Sequence, residues 1–579
     1  MDKNFKALIH KADECSYVLN AVKSAAEKLS ASVLSDAKEK AGAEAVFGDT
    51  SRAITAAAKD ALAKVLEEKS GAVIASGTPA DDVTGFIIYS DGESVAIAWK
   101  DFQIAPLAID YYVNNLDTIM GEGVLYSDVF SIDDYLAEHE KKLYAEKWAA
   151  LEEAIPEKYR GDILREMKLL NSLRTHESAK WLGSLYDPVT GGWYISRSAR
   201  ETEGFGPDIE STFYALSLVG YTGMAEMFDG EDYMEKFTYA YPKDILDKVG
   251  KWLYELQDED GYFYVPQWPK KYIEENGKQI RITRDVGTAK RVLRALGITP
   301  KYSDSNSGGG TKSALLTQYD SVENFREYLA GLDRELESAT DADRAWKFYL
   351  WGSYFQSTIG LMNDEMKKMM VEFFNKHQNP KNGVWSEELT YNSTNAIHKI
   401  CSVYNSIGEP MNYIDEMIDS TLEILNWDVE TNPSSCCAIY NVWSVFPYLY
   451  SNIRNSGTGT PEEREARCAE KKALVYAGAA KAINTTYHQI KGHFLPGGEV
   501  SVGRNSSYSS VYGCPAALGV MEGDIGGYLL GAYDVEQYVF LALELGDYTI
   551  PLFTERDRRV FMKAVRDAKP PVKKPNPNN

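Results

Sequence analysis

Residues Gly383–Gly408 read GVWSEELTYNSTNAIHKICSVYNSIG, and their layout decides the fold. A turn at Gly383 leads into a short aromatic, strand-like piece at Val384-Trp385. A polar loop follows, and then a helix-forming run that carries Asn395, His398 and Tyr404. The run stops at Gly408, as expected for a helix with a glycine C-terminal cap. The same layout recurs at Leu185–Gly220, Leu256–Gly297 and Phe494–Tyr533. The helices of these repeats are predicted to open at Pro207-Asp208, Thr283-Arg284-Asp285, Asn392–Asn395 and Glu522–Asp524, all of N-cap type. A period this long, built from helix pairs, implies stacked or circular helical hairpins, because no single pair buries its apolar face alone. In a circular arrangement the inner helices open onto a central cavity, with the Gly/aromatic turns gathered at one end.

Residues 1 to about 75 are rich in Ala, Lys and Glu at helical spacing, which predicts an N-terminal helical arm. GFIIYSDGESVAIAW, starting at Gly85, is two β-rich runs around Ser-Asp-Gly-Glu, the pattern of a small β-hairpin. The expected organisation is therefore arm plus hairpin over 1–125, a helical body over 126–567, and a Pro/Lys/Asn-rich tail over 568–579. KYSDSNSGGGTKS, starting at Lys301, reads as a Ser/Gly loop, and its GGGTKS lacks the full phosphate-loop spacing.

The turns DPVTGGWY, DEDGYFY and NPKNGVW ahead of helices resemble the α/α-toroid superfamily over roughly residues 130 to 565. That group includes terpene cyclases, protein prenyltransferases and the toroidal domains of polysaccharide lyases. The resemblance implies an all-α fold, an α/α toroid carrying the arm and hairpin. The DxDD-type and DDxxD-type motifs of the cyclases and the Asp/Cys/His zinc set of the prenyltransferases are missing, which puts those two activities in doubt.

With 85 acidic against 62 basic residues the formal net charge is -23, which argues against a nucleic-acid partner. It leaves room for a local basic groove that holds an acidic sugar chain. The six cysteines form no CxxC pair, so no structural metal is expected, and no cofactor motif is present. Adjacent Cys436-Cys437 read as buried thiols. The N-terminal MDKNFKALIHKADECS does not have the pattern of a signal peptide, and no apolar run approaches the ~20 residues of a membrane helix. These features fit a cytoplasmic protein or an excised fragment of an exported one.

Asn395, His398, Ser402 and Asn405 share one polar helix face, opposite Ile397, Ile400, Cys401 and Tyr404. A His there is a candidate proton-transfer group. In toroidal polysaccharide lyases Asn neutralises the uronate carboxylate, and His or Tyr moves the protons of β-elimination. The resemblance gives these roles to Asn395 and His398, with Tyr404, Tyr391, Tyr508 or Tyr512 as the tyrosine. A second constellation pairs Asp208 and Glu210 with Glu522 and Asp524. These residues cap helices, or face each other as the two acids of a glycoside hydrolase. Trp193, Tyr194, Tyr264, Trp268, Trp385 and Tyr391 crowd the turns, where rings stack on sugars, and Tyr508 joins them as a substrate-binding candidate. Arg197, Arg284 and Arg504 suit an anionic substrate. The expected activity is lyase-like β-elimination on a uronate-containing oligo- or polysaccharide. The alternatives are a glycoside hydrolase, an isoprenoid cyclase-like enzyme and a non-catalytic glycan-binding toroid.

Overall fold

The computed structural model describes residues 5, 7–40, 42–119, 121–302, 316–432, 434–504 and 506–578. The GGGTKS segment lies outside them. The chain is mostly helical and divides into two compact units. One comprises residues 1–145, 223–240 and 554–556, and the other 146–222, 241–553 and 557–579. No helix of the described residues is long and apolar enough to cross a membrane.

The first unit corrects the expected helical arm. Its strands are β1 (Ala7–His10), β2 (Ser32–Ser35), β3 (Ala45–Phe47), β4 (Val83–Ser90), β5 (Val95–Trp99) and β6 (Gly123–Ser131). They form one six-stranded sheet in the order β2-β1-β3-β5-β4-β6. The expected hairpin is present as antiparallel β4–β5, but it continues into parallel β3 on one side and antiparallel β6 on the other. Leu8, Phe47, Ile88 and Ile97 pack towards the helices Ser16–Leu29 and Ala105–Asn114. Their chain neighbours Ile9, Val46, Ile87 and Ala96 pack on the other face, towards helix Ala53–Ala75. Successive side chains of a strand point to opposite faces, so a sheet covered on both sides shows no polar alternation. That is why strands of three or four residues escaped notice in an Ala-rich stretch. The two expected helices exist, but they serve as covers for this sheet.

The second unit is helical. Helices Ile209–Tyr221, Gln279–Ala295, Asp341–Thr358, Tyr391–Ile407 and Cys436–Ser456 each pack on the next. Residues 525–542, which include a π-helical stretch at Tyr528–Asp534, pack on Cys436–Ser456. Their first turn, Ile525–Gly527, packs back on Ile209–Tyr221. Helices Lys243–Leu256, Ile414–Leu425 and Pro461–Lys491 back members of this series.

Three of the repeated turns share one hydrogen-bond signature. Asp187 N–H donates to Gly192 O at 2.8 Å and Gly191 N–H returns to Asp187 O at 2.8 Å. The corresponding pairs are Asp258–Tyr262 and Gly261–Asp258, both 2.9 Å, and Asn379–Val384 (2.7 Å) and Gly383–Asn379 (2.8 Å). Gly383 has φ 71°, and a Cβ there would lie 2.6 Å from Met417 Cγ, so the turn needs glycine for both backbone and space. The strand-like pieces reduce to single bridges such as Tyr186–Trp193 and Gln257–Phe263.

Helix starts follow the expected caps at Asp208 and Asp524. The third-repeat helix is capped by Thr390 in a capping box with Ser393. The second-repeat helix starts at Gln279, earlier than expected, so Arg284 and Asp285 lie inside it.

Candidate functional site

The helical unit encloses a cavity of about 640 Å³, within the range of small-molecule sites. Asn392, Asn395 and Lys399 contribute a stripe at i, i+3 and i+7 of the Tyr391–Ile407 helix. Asp208, Glu210 and Tyr214 come from the start of Ile209–Tyr221, and Arg284 from Gln279–Ala295. Trp346 and Tyr349, Cys437 and Tyr440, and Tyr508 and Tyr512 complete the polar and aromatic wall.

Glu210 anchors the charged side of the wall. Its Oε2 accepts from Arg281 Nη1 at 2.7 Å, and its Oε1 accepts from Tyr214 Oη at 2.8 Å and Arg284 Nε at 2.9 Å. Arg284 Nη2 adds a further bond to Oε1. Burial alone would raise this carboxyl, but Arg284 and Arg281 outweigh it and hold it well below the usual carboxylate range. Arg281, fully buried, also pairs with Asp285, its Nε lying 3.0 Å from Oδ2. Arg284 keeps its Nη1 without a hydrogen bond among the described residues. The Tyr512 ring lies over Arg284, with the guanidinium carbon 4.7 Å from its centroid. Tyr512 and Gly513 both have positive φ (51° and 75°) and form the two-residue turn between Ser510–Val511 and Cys514–Pro515.

Asn395 and Lys399 are of another kind. Asn395 is 2% exposed and Lys399 9% exposed. The Asn395 Oδ1 has no hydrogen-bond partner among the described residues. Lys399 makes no hydrogen bond or ion pair among the described residues. Burial pushes its amine down to about 8. Gly352 on the neighbouring helix makes room for its stem, since a Cβ there would lie 2.8 Å from Lys399 Cβ.

The other expected residues sit elsewhere. His398 is 3% exposed and is not part of the cavity lining. Its Nδ1 meets the Ser444 hydroxyl, and Tyr448 packs edge-on at 4.9 Å between ring centroids. Burial pushes it well below the usual histidine value, so the ring is neutral. Tyr404 Oη donates to Val371 O and Asn375 Oδ1 in the core. Tyr391 Oη accepts from Gln489 Nε2 at 3.0 Å.

Asp208 lines the cavity but spends both oxygens on Ser211, taking its N–H at 2.8 Å and its hydroxyl at 2.6 Å. Glu522 accepts from Ser198 N–H at 2.8 Å, and Asp524 from Gly527 N–H at 2.6 Å and Val502 N–H at 2.9 Å. Neither Glu522 nor Asp524 lines the cavity. Burial pushes Asp524 up to about 7.

Trp193 and Trp385 are buried in the core, and Trp268 donates its Nε1–H to Pro515 O at 2.8 Å. Tyr194 lies under Lys573 Nζ, and Tyr264 Oη bonds Asp260 Oδ2 at 2.9 Å. Exposed Arg197 pairs with Glu499, and Arg504 packs beside Gly492. The cavity thus gathers Asn395, Arg284, Asp208, Glu210, Tyr508 and Tyr512 from the expected residues.

Sequence reasoning passed over Lys399, Tyr214, Tyr349 and Tyr440. The available signal for Lys399 was a lysine four residues after Asn395, next to His398 and flanked by Ala396-Ile397 and Ile400-Cys401.

No protein-family model matches the chain, and no curated protein matches its sequence.

Proposed function

We propose that the helical unit is an α/α toroid that binds a uronate-bearing oligo- or polysaccharide in this cavity and cleaves it by β-elimination. One observation carries the reading: Asn395 and Lys399 are buried at the cavity wall, and the Asn395 Oδ1 and the Lys399 amine have no partner among the described residues. An unsatisfied buried polar group costs about 1–3 kcal/mol, and a ligand bearing a carboxylate and hydroxyls would satisfy both. The order of helix contacts, which returns from residues 525–527 to Ile209–Tyr221, supports the toroidal arrangement.

In this reading the Asn395 amide and the free Arg284 Nη1 neutralise the sugar carboxylate, which acidifies the proton on the adjacent carbon. The cavity tyrosines, kept protonated by burial, donate to the leaving oxygen. Trp346, 46% exposed at the wall, offers its ring to a sugar face. His398 braces the helix that carries Asn395 through Ser444.

The test is incubation with polymers of galacturonate, glucuronate, mannuronate and guluronate. Ultraviolet absorbance of an unsaturated uronate, with products one water lighter than hydrolysis products, supports elimination. Reducing ends without unsaturation point to hydrolysis, and binding without turnover points to a glycan-binding toroid.

A further inference from the structure

We infer that the Lys399 amine is the base that takes the proton from the sugar carbon bearing the carboxylate, an assignment that rests on the elimination reading above. The two groups such a step needs lie on one helix stripe. Asn395, which meets the carboxylate, and Lys399 are four residues apart, about 6 Å along the axis. The carboxylate and the proton to be removed are attached to the same carbon, so their protein partners must converge on one spot. An i, i+4 pair facing one cavity does this.

The other titratable lining groups are unsuited to the task. Burial raises the hydroxyls of Tyr214, Tyr349, Tyr440, Tyr508 and Tyr512, the last to about 12, which makes them proton donors. The Cys437 thiol is raised by burial as well. Asp208 is occupied by Ser211, and Glu210 is clamped by two guanidiniums.

Lys399 alone of these is an amine that titrates close to neutral pH, at about 8. Burial lowers it, Arg284 lowers it further, and Cys437, Asp534 and Glu210 act in the opposite direction. His398 beside it is neutral. A base that titrates near the working pH gives the most efficient proton transfer.

In the step, the proton passes from C5 to Nζ and the C5–H electron pair becomes the C4=C5 double bond. The C4–O bond breaks with its electrons on the leaving oxygen, which takes a proton from a cavity tyrosine such as Tyr508. The Lys399 ammonium then returns a proton to the tyrosinate. No water and no oxidant is consumed.

The experiment compares the full chain with Lys399→Ala, Lys399→Arg and Lys399→Met on the uronate polymer that the wild type cleaves. The expected result is a fall in kcat of about 100- to 10,000-fold in all three, with KM changed far less. Added alkylamine should partly restore Lys399→Ala, in proportion to its free-base form. Arginine keeps the charge but cannot give up its proton, so its failure separates a base from a charge clamp. The wild-type kcat/KM should rise with pH with a midpoint near 8.

Lys399→Met removes a charge that has no partner among the described residues and keeps the length, so folding is retained and loss of activity reads as loss of the base. Labelling of the Lys399 amine with trinitrobenzenesulfonate, mapped by mass, provides a second measurement. A midpoint near 8 and protection by free uronate are expected, and a midpoint above 10 overturns the assignment. Activity of Lys399→Arg equal to wild type also overturns it and leaves the elimination reading standing. A wild type that makes no unsaturated product from any uronate polymer removes the elimination reading, and the base assignment with it.

Discussion

Lys399, Asn395, Glu210 and His398 are four buried polar residues with different physical histories. Asn395 makes no hydrogen bond through its side chain among the described residues, so its removal costs the fold little and the ligand much. Asn395→Ala is expected to lower kcat/KM by about 10- to 100-fold, the worth of one hydrogen bond to a charged group, with no large change in unfolding midpoint. Glu210 is the opposite case, because two guanidiniums lean on it. Glu210→Gln leaves Arg284 without its counter-charge and Arg281 with Asp285 alone, and is expected to cost about 3–5 kcal/mol in urea unfolding. Its folded pKa is depressed, so its contribution is full above the unfolded value of 4.5 and is lost as pH falls below it. The gap between wild type and variant should therefore shrink on acidification, and a gap that stays constant down to pH 3 refutes the pairing as its source. His398 is held neutral below its unfolded value of 6.5, so there the unfolded chain takes up the proton and the wild type loses stability as pH falls. The loss is at most about 1.4 kcal/mol per pH unit, and His398→Gln is expected to remove it.

At the scale of the element, the turn is what repeats. The reciprocal bonds at Asp187 and Asn379 close the same turn from two different sequences, and Asp258 closes a version one residue shorter. Gly383→Ala places a Cβ against Met417 at positive φ and is expected to cost about 1–3 kcal/mol in thermal or urea unfolding. Gly360→Ala, which meets nothing within 4 Å, is the control expected to stay within about 0.5 kcal/mol of wild type. Equal effects of the two would show that the turn does not need its glycine.

The helix register was only half legible. Asn395 has polar neighbours three and four positions on, His398 and Lys399, and residues 393–401 are all buried. Polarity pattern favoured the face with His398. The packing of Gly352 beside Lys399 and of Ser444 beside His398 fixes the rotation the other way.

For the whole molecule, the net charge of -23 surrounds a site read here as binding an anion. A polyanion approaching at low salt meets long-range repulsion that a Debye length of about 10 Å at 0.1 M largely removes. KM for a long uronate polymer is expected to fall as salt rises towards about 0.1 M, while that for a short oligomer changes little. A KM that rises with salt from the start would show that attraction, not repulsion, governs approach. Charge balance was open to reading from composition. The six-stranded sheet of the first unit was not, because its short strands are apolar on both faces and lie between strong helix formers.

The sequence by itself determined the local pieces: the glycine turns, the caps at Asp208 and Asp524, the β4–β5 hairpin and the helical character of residues 146 onward. Each depends on residues close together in the chain, whose backbone preferences act without help from distant parts. Tertiary structure decided which of the polar side chains share the cavity. Whether a lysine keeps its charge, or an aspartate spends its oxygens on a cap, depends on groups up to hundreds of residues away that burial brings alongside. That is why Asn395 could be named from its stretch, and Lys399 only from the walls around it.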